Sequence, residues 1–412
     1  MSLTRAFVLL TCALAFFPVL KLNHFSMLMM VWFLTALVLG YKNHSFEILR
    51  EKWRTLLILG FFCIMYLIYL PFSTDFKEMS RLIIKSLPFI VFPVGLLLNR
   101  FILTRSVIRS FVGIFIATTL FVNALGWVKL VAYGPLKAFA DNDFYHPLFR
   151  TFFSEAASMH LPYLGLISSF SALCLVYRML RDKLFSVFSF LVVLFLIMSM
   201  YLYSARMALG CFVVGVLFMI LKSTRKTAVV WGTMIGLPVL CLLLFWMSPL
   251  KERYFTSINS EWVLPHKGQH PHEVNYRYGI WHCATQLIRE NMIKGVGPDK
   301  VQKELNSCYS GFTYESYEDF SRVTYNAHNQ YLDQFLKFGI TGLLLFCFAL
   351  FYYVRGSSLL YQVFLLLVAL SFLTENILDR QMGVVFISLF NSIFVAYKFN
   401  SFEKGTRSRL AG

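Results

Sequence analysis

The chain has 412 residues, of which 58% are hydrophobic and 14% charged, and it carries a formal net charge of +17. A soluble globular chain holds about 25% charged residues, so this composition, with its mean hydropathy of +0.64, excludes a water-soluble domain. Repeated apolar runs near the roughly 20 residues that cross a bilayer indicate an all-α polytopic membrane protein of the inner-membrane type, because helices satisfy their own backbone polar groups in lipid.

In chain order the predicted spans are 6–20, 25–40, 54–72, 82–98, 108–132, 158–178, 184–203, 206–221, 228–247, 330–354, 358–374 and 382–398, twelve in all. The first stands where a signal peptide would, but Phe16, Phe17 and Pro18 occupy the place of a small-residue cleavage site, so it is read as a membrane segment. With the N-terminus inside, the inward loops hold 19 basic and 4 acidic residues, and the outward ones 19 basic and 17 acidic. That split, +15 inside against +2 outside, follows the positive-inside rule and places both termini in the cytoplasm. It accounts for the basicity without a nucleic-acid partner. The expected organisation is transmembrane helices 1–9 over residues 1–247, a large outward loop over 248–329, and helices 10–12 with a cytoplasmic tail over 330–412. Six cysteines (Cys12, Cys63, Cys174, Cys211, Cys241, Cys347) fall in apolar spans and read as packing residues. Cys283 and Cys308 lie on the outward side, where a disulfide is chemically permitted; the sequence leaves their pairing open.

Two outward segments are too long to be simple turns. The first, "YGPLKAFADNDFYHPLFRTFFSEAA", is aromatic and polar; the second runs from Ser248 to Asn329 and is rich in Trp and Tyr. Loops of that length are functional or disordered as a rule, and this aromatic content is not that of a disordered segment. Within it "NYRYGIWHCATQLIREN" reads as a helix capped by Asn275 and ended by Asn291 and the Gly295–Gly297–Pro298 cluster,. Arg277 stands in its first turn, where the helix dipole prefers acidic groups. Arg206, in "SARMALG", stands at a very short outward turn. It is either a snorkelling or ion-paired residue or part of an anion site, since a guanidinium fork matches phosphate oxygens. His328, in "YNAHNQYLDQF", stands at the mouth of the tenth span. Alone it reads as an interfacial residue; in company with two arginines on the same side it becomes a candidate general base. The tract "HKGQHPH" (His266, His270, His272) lacks a fourth ligand and reads as a solvated loop, as does the acidic "ESYEDF",.

The succession "SAR", then "R…W…A…LI…EN…GVG", then "HNQYLDQFLKFGITGL", over about Tyr203 to Leu345, resembles the O-antigen ligase and polymerase superfamily. The later "TENILDRQMGVVF", with Glu375, Arg380 and Gly383, is also similar to a segment of that group. The resemblance implies a GT-C-type glycosyltransferase of the bacterial inner membrane, working at the periplasmic face without metal or other cofactor. It implies transfer, with inversion, of a glycan from undecaprenyl diphosphate to an acceptor hydroxyl: a lipid A-core sugar in a ligase, a second lipid-linked glycan in a polymerase. Carried over by motif, His328 is the base, and Arg206 and Arg277 bind the diphosphate. Asn329, His160, Tyr163 and Arg380 are supporting candidates, although "MHLPY" places Leu161 between His160 and Pro162, a departure from the family pattern. The ligase branch is slightly the closer. A lipid-linked glycan transporter is the reading from another class, and the missing internal repeat counts against it.

Overall fold

The computed structural model describes residues 2–134, 148–182, 186–223, 262–265, 275–312, 320 and 323–410, and among these every regular element is helical. In chain order the helices of nine residues or more are α1 (Leu3–Ala13), α2 (Leu22–Lys42), α3 (Trp53–Tyr69), α4 (Phe76–Ser86), α5 (Pro88–Leu98), α6 (Arg105–Tyr133), α7 (Leu148–Ala157) and α8 (Leu161–Asp182). Then come α9 (Val187–Leu202), α10 (Arg206–Ser223), α11 (Tyr276–Glu290), α12 (Val301–Tyr309), α13 (Gln330–Phe351), α14 (Leu359–Ser371) and α15 (Gln381–Leu410). Their starts follow capping chemistry: Thr104, Ser186 and Ser358 each accept a backbone N–H of the first turn with the side-chain oxygen,.

Among the described residues eight stretches are long and apolar enough to cross a bilayer, and three shorter apolar helices (Leu3–Phe16, Val187–Leu202 and Leu359–Ser371) coincide with further predicted spans. The remaining expected span, 228–247, lies outside the described residues, as do the His266–His272 tract and the Glu315–Asp319 segment. One expectation changes. The second half of the aromatic outward segment is not loop but α7, packed along α6 so closely that a Cβ on Gly126 would overlap the ring of Phe153.

The centre of the bundle is formed by α8 and α15, buried over 72% and 78% of their span against 22% for the peripheral α2. Between α6, α8, α14 and α15 the core is aromatic. Phe390 lies 4.8 Å from Phe115 and 5.0 Å from Phe170, and Phe170 lies 5.1 Å from Phe364. Lipid offers apolar side chains no gain from mere burial, so packing shape and buried hydrogen bonds hold such helices together. Both are present. Gly165 of α8 lets Ala205 and Ala208 approach, while Asn123 and Tyr203 both donate to Ser168 Oγ, at 3.0 and 3.3 Å.

The described residues between α10 and α13 build a small core of their own from Ile280, Cys283, Ala284, Leu287, Val301, Leu305, Tyr309 and Phe320. It is stapled by a disulfide between Cys283 of α11 and Cys308 of α12, with an S–S distance of 2.04 Å, which closes the pairing the sequence left open. Two attachments seat this unit on the bundle. Asp299 Oδ2 accepts Ser73 Oγ at 2.9 Å and the backbone N–H groups of Thr74 and Asp75 at 2.8 and 3.2 Å. Burial alone would raise the Asp299 carboxyl, but these donors hold it below its ordinary value,. The second attachment explains the glycines of "GVG" and "FGITG". α13 breaks at Gly339 (φ 68°, ψ −168°). Across the break Ile340 N–H donates to Met292 O at 2.9 Å and Val296 N–H to Leu336 O at 2.6 Å. The backbone groups freed by the interruption are therefore satisfied by protein, as membrane depth requires.

A Cβ at Gly339 would overlap the Ile293 carbonyl, and a left-handed non-glycine residue adds about 1–3 kcal/mol of strain. Gly339→Ala is expected to lower the thermal midpoint of the detergent-purified protein markedly. Gly113→Ala, at a position with open space around the added atom, is expected to leave it unchanged.

Candidate active site

The sequence from Tyr325 to Gln330 folds as a tight turn ending in a helix start. Asn326 Oδ1 accepts His328 N–H at 3.1 Å, and His328 adopts φ 44°, the left-handed region that side chains enter mainly at turns and functional sites. Asn329 is the N-cap of α13, its Oδ1 accepting Tyr331 N–H and Leu332 N–H. It fixes where the helix begins and how His328 leaves it.

A second turn, between α14 and α15, is stitched to the first. Gln330 N–H donates to Phe372 O at 2.8 Å, Asn329 N–H to Asn376 Oδ1 at 2.7 Å, and Leu378 N–H to Gln330 Oε1 at 2.8 Å. This seam carries Glu375 to His328. One carboxylate oxygen of Glu375 lies 3.5 Å from His328 Nδ1, and the other lies 3.4 Å from Arg277 Nη2, which also donates to Thr374 O at 3.3 Å. His328 Nδ1 is buried and makes no hydrogen bond, so Glu375 is the charged group it faces. A carboxylate facing Nδ1 favours the tautomer with its proton there, which leaves Nε2 as the nitrogen open to a proton.

Arg277 is placed by Asn275, whose side chain accepts Arg277 N–H at the head of α11, as its sequence position suggested. A guanidinium has five donors, and with 41% of its side chain exposed Arg277 keeps donors available beyond the Glu375 contact. His160, just ahead of α8, lies within the field of Glu375, Arg380, Arg150 and His328; partial burial, against the pull of Glu375, holds its imidazole below the ordinary histidine value. Tyr163 is buried, and its hydroxyl donates to Asn376 O at 3.3 Å. It braces the Glu375 turn. Arg206 opens α10, next to the Ala205–Gly165 contact on α8, five residues beyond His160. The His328–Glu375–Arg277 chain does not run through it.

Beneath the site lies a set of buried charges that sequence reading passed over. Lys337 Nζ is 2.6 Å from Asp333 Oδ2 and 3.4 Å from Asp379 Oδ1, and Lys85 Nζ donates to Asp379 O at 3.0 Å. Asp379 Oδ2 in turn accepts Asn326 Nδ2 at 2.9 Å and Asn376 Nδ2 at 3.1 Å. Asp379 therefore ties together the two turns that present His328 and Glu375. Burial would raise its carboxyl, yet Lys337 and Lys85 hold it below its ordinary value. Asp333 is the ion-pair partner of Lys337. Glu375 was visible as part of a family-like segment but had no assigned role. Its signal was an acid between two apolar spans on the predicted outward side. The signal for the ion cluster was Asp333 and Lys337, four residues apart in an apolar run, where ionisable residues are functional by default.

The fold and site together define a multi-helix membrane protein with a histidine–carboxylate–arginine arrangement at one mouth of its bundle. Residues 188–347 match the O-Antigen ligase family, in support of the superfamily resemblance that the motifs carry. The match contains Arg206, Arg277 and His328 and stops short of Glu375. Enzymes of that family are ligases and polymerases of the membrane glycosyltransferase type, which act on lipid-linked glycans and glycan acceptors. Comparison with curated proteins gives no match.

Proposed function

We propose that this protein is an O-antigen ligase-type glycosyltransferase of the bacterial inner membrane, with twelve spans, GT-C-type architecture, cytoplasmic termini and a periplasmic active site. The observation that carries the reading is the Arg277–Glu375–His328 chain at the bundle mouth, with His328 and Arg277 inside the stretch that matches the family. In the reaction His328 Nε2 takes the proton of an acceptor sugar hydroxyl, on the lipid A core. The oxygen attacks the anomeric carbon of the glycan on undecaprenyl diphosphate, opposite the leaving group, so that the anomeric centre inverts. The bond from that carbon to the diphosphate oxygen breaks, and the lipid diphosphate leaves with the bonding electrons. Arg277 and Arg206 offset the charge growing on it.

Arginines in place of a divalent ion make transfer independent of metal. Purified protein is expected to keep its rate in excess chelator; loss of activity with rescue by magnesium or manganese would remove the arginine assignment. The function itself is tested by deleting the gene and examining envelope glycolipids. A ligase leaves lipid A-core without polymer while polymer accumulates on the carrier. A polymerase, which shares the chemistry but uses a second lipid-linked glycan as acceptor, leaves core capped with a single repeat unit. An unchanged glycolipid profile would sink both.

A further inference from the structure

Three aromatic rings stand beside the site and take no part in the chemistry so far. Trp262 packs against Trp281 and Tyr278 of α11, with ring centroids 6.1 and 6.3 Å apart. Trp262 is nevertheless 54% exposed, far more than the Trp and Tyr residues of the buried core. The short segment that carries it is pinned to α11 at Pro265, which would be 3.2 Å from a Cβ on Gly279. Trp281 is tied to the reacting region itself, since its indole N–H donates to Ala327 O at 3.2 Å, the carbonyl of the residue before His328. It also lies four residues after Arg277, on the same side of the helix.

We propose that Trp262 and Trp281, flanked by Tyr278, form a carbohydrate-binding platform that holds a sugar ring of the carrier-linked glycan beside His328. The chemistry selects this occupant. A pyranose has one face of C–H bonds, which packs on the electron-rich face of an indole, while its rim of hydroxyls stays in water or reaches polar side chains. The platform supplies exposed indole surface and no charge of its own. Its position supplies the rest: Arg277 at the head of the helix holds the diphosphate, so the first sugars beyond it lie along the turn that presents Tyr278 and Trp281. The assignment rests on the glycosyltransferase reading above and adds to it where the glycan is gripped.

The test uses the full-length protein in detergent and in vesicles, with two probes: carrier-linked glycan extracted from the producing cells, and the water-soluble oligosaccharide released from it by mild acid. Trp262→Ala is expected to raise KM for the carrier-linked glycan about tenfold, the loss of one stacking contact, with kcat unchanged; Trp262→Tyr should restore most of the affinity. The soluble oligosaccharide should quench tryptophan emission in the native protein and much less in Trp262→Ala, which lacks the exposed ring. If Trp262→Ala leaves KM and the oligosaccharide response unchanged while native transfer proceeds, the platform is wrong and the transferase reading stands. Quenching of Trp262 by brominated lipid in vesicles, with no response to oligosaccharide, would make the patch a membrane anchor and also overturn the proposal. If the native protein transfers nothing, the transferase reading fails, and the oligosaccharide fluorescence still decides the platform.

Discussion

Lys337→Met is expected to yield little folded protein, because it leaves Asp333 and Asp379 facing each other without the cation between them. Lys337 and Asp333 are 4% and 2% exposed; removing one partner of a buried pair costs about 3–5 kcal/mol, while replacing the whole pair with apolar residues of similar size is often near neutral. The double variant Lys337→Met/Asp333→Leu should therefore recover much of the stability in thermal or denaturant unfolding in detergent. It should not recover full transfer, since Asp379 would keep only Lys85 while still holding Asn326 and Asn376. A single variant as stable as the native protein would show that the pair carries no stabilisation. Asp379's own share of the pH dependence has a definite sign. Lys337 and Lys85 hold its folded carboxyl below the ordinary value of about 3.9,. That share is thus complete above the ordinary value and is lost as pH falls through the lowered one.

His328→Ala is expected to lower the transfer rate by roughly 10²–10⁴-fold, the range for loss of a general base, while the protein stays folded and still binds carrier-linked glycan. Its neighbour gives the sharper test. Glu375→Gln keeps the shape and loses the charge that faces Nδ1, and a loss of roughly 10–100-fold in kcat is expected for a residue acting through another. Arg277→Ala should weaken carrier binding as well as turnover, and Arg277→Lys should restore only part of both, because the ammonium keeps the charge without the fork. Near-normal transfer by His328→Ala with collapsed binding would make His328 a binding residue and leave the base to be sought elsewhere.

The parts of this structure that were legible in the sequence are those written in local pattern. Apolar run lengths gave the helices and the membrane class, and Asn275 and the glycine cluster bracketed α11. His328 and Arg277 were legible as oddities, polar groups where local rules wanted something else. Glu375 was not assigned, because its role comes from a contact across 47 residues of chain, set by the seam between Gln330 and Phe372. The break at Gly339 was hidden for the same reason. Within an apolar run a glycine reads as a tolerated helix residue, and the backbone that pairs with the interruption lies in Met292 to Val296, far upstream. The half of the aromatic loop that became α7 was missed because its apolar residues pack on one face of α6, which no short window reveals.

The seam has a consequence for how the protein is made. Arg277 and His328 are synthesised before Glu375, Asn376 and Asp379, and the turn of residues 326–330 finds its hydrogen-bond partners at 372–379. Until the last two helices have entered the membrane, the first turn of α13 has no acceptor for Gln330 N–H and no anion beside His328. A ribosome-tethered chain stopped before residue 371 would hold the arginine and the histidine without the carboxylate that lies between them.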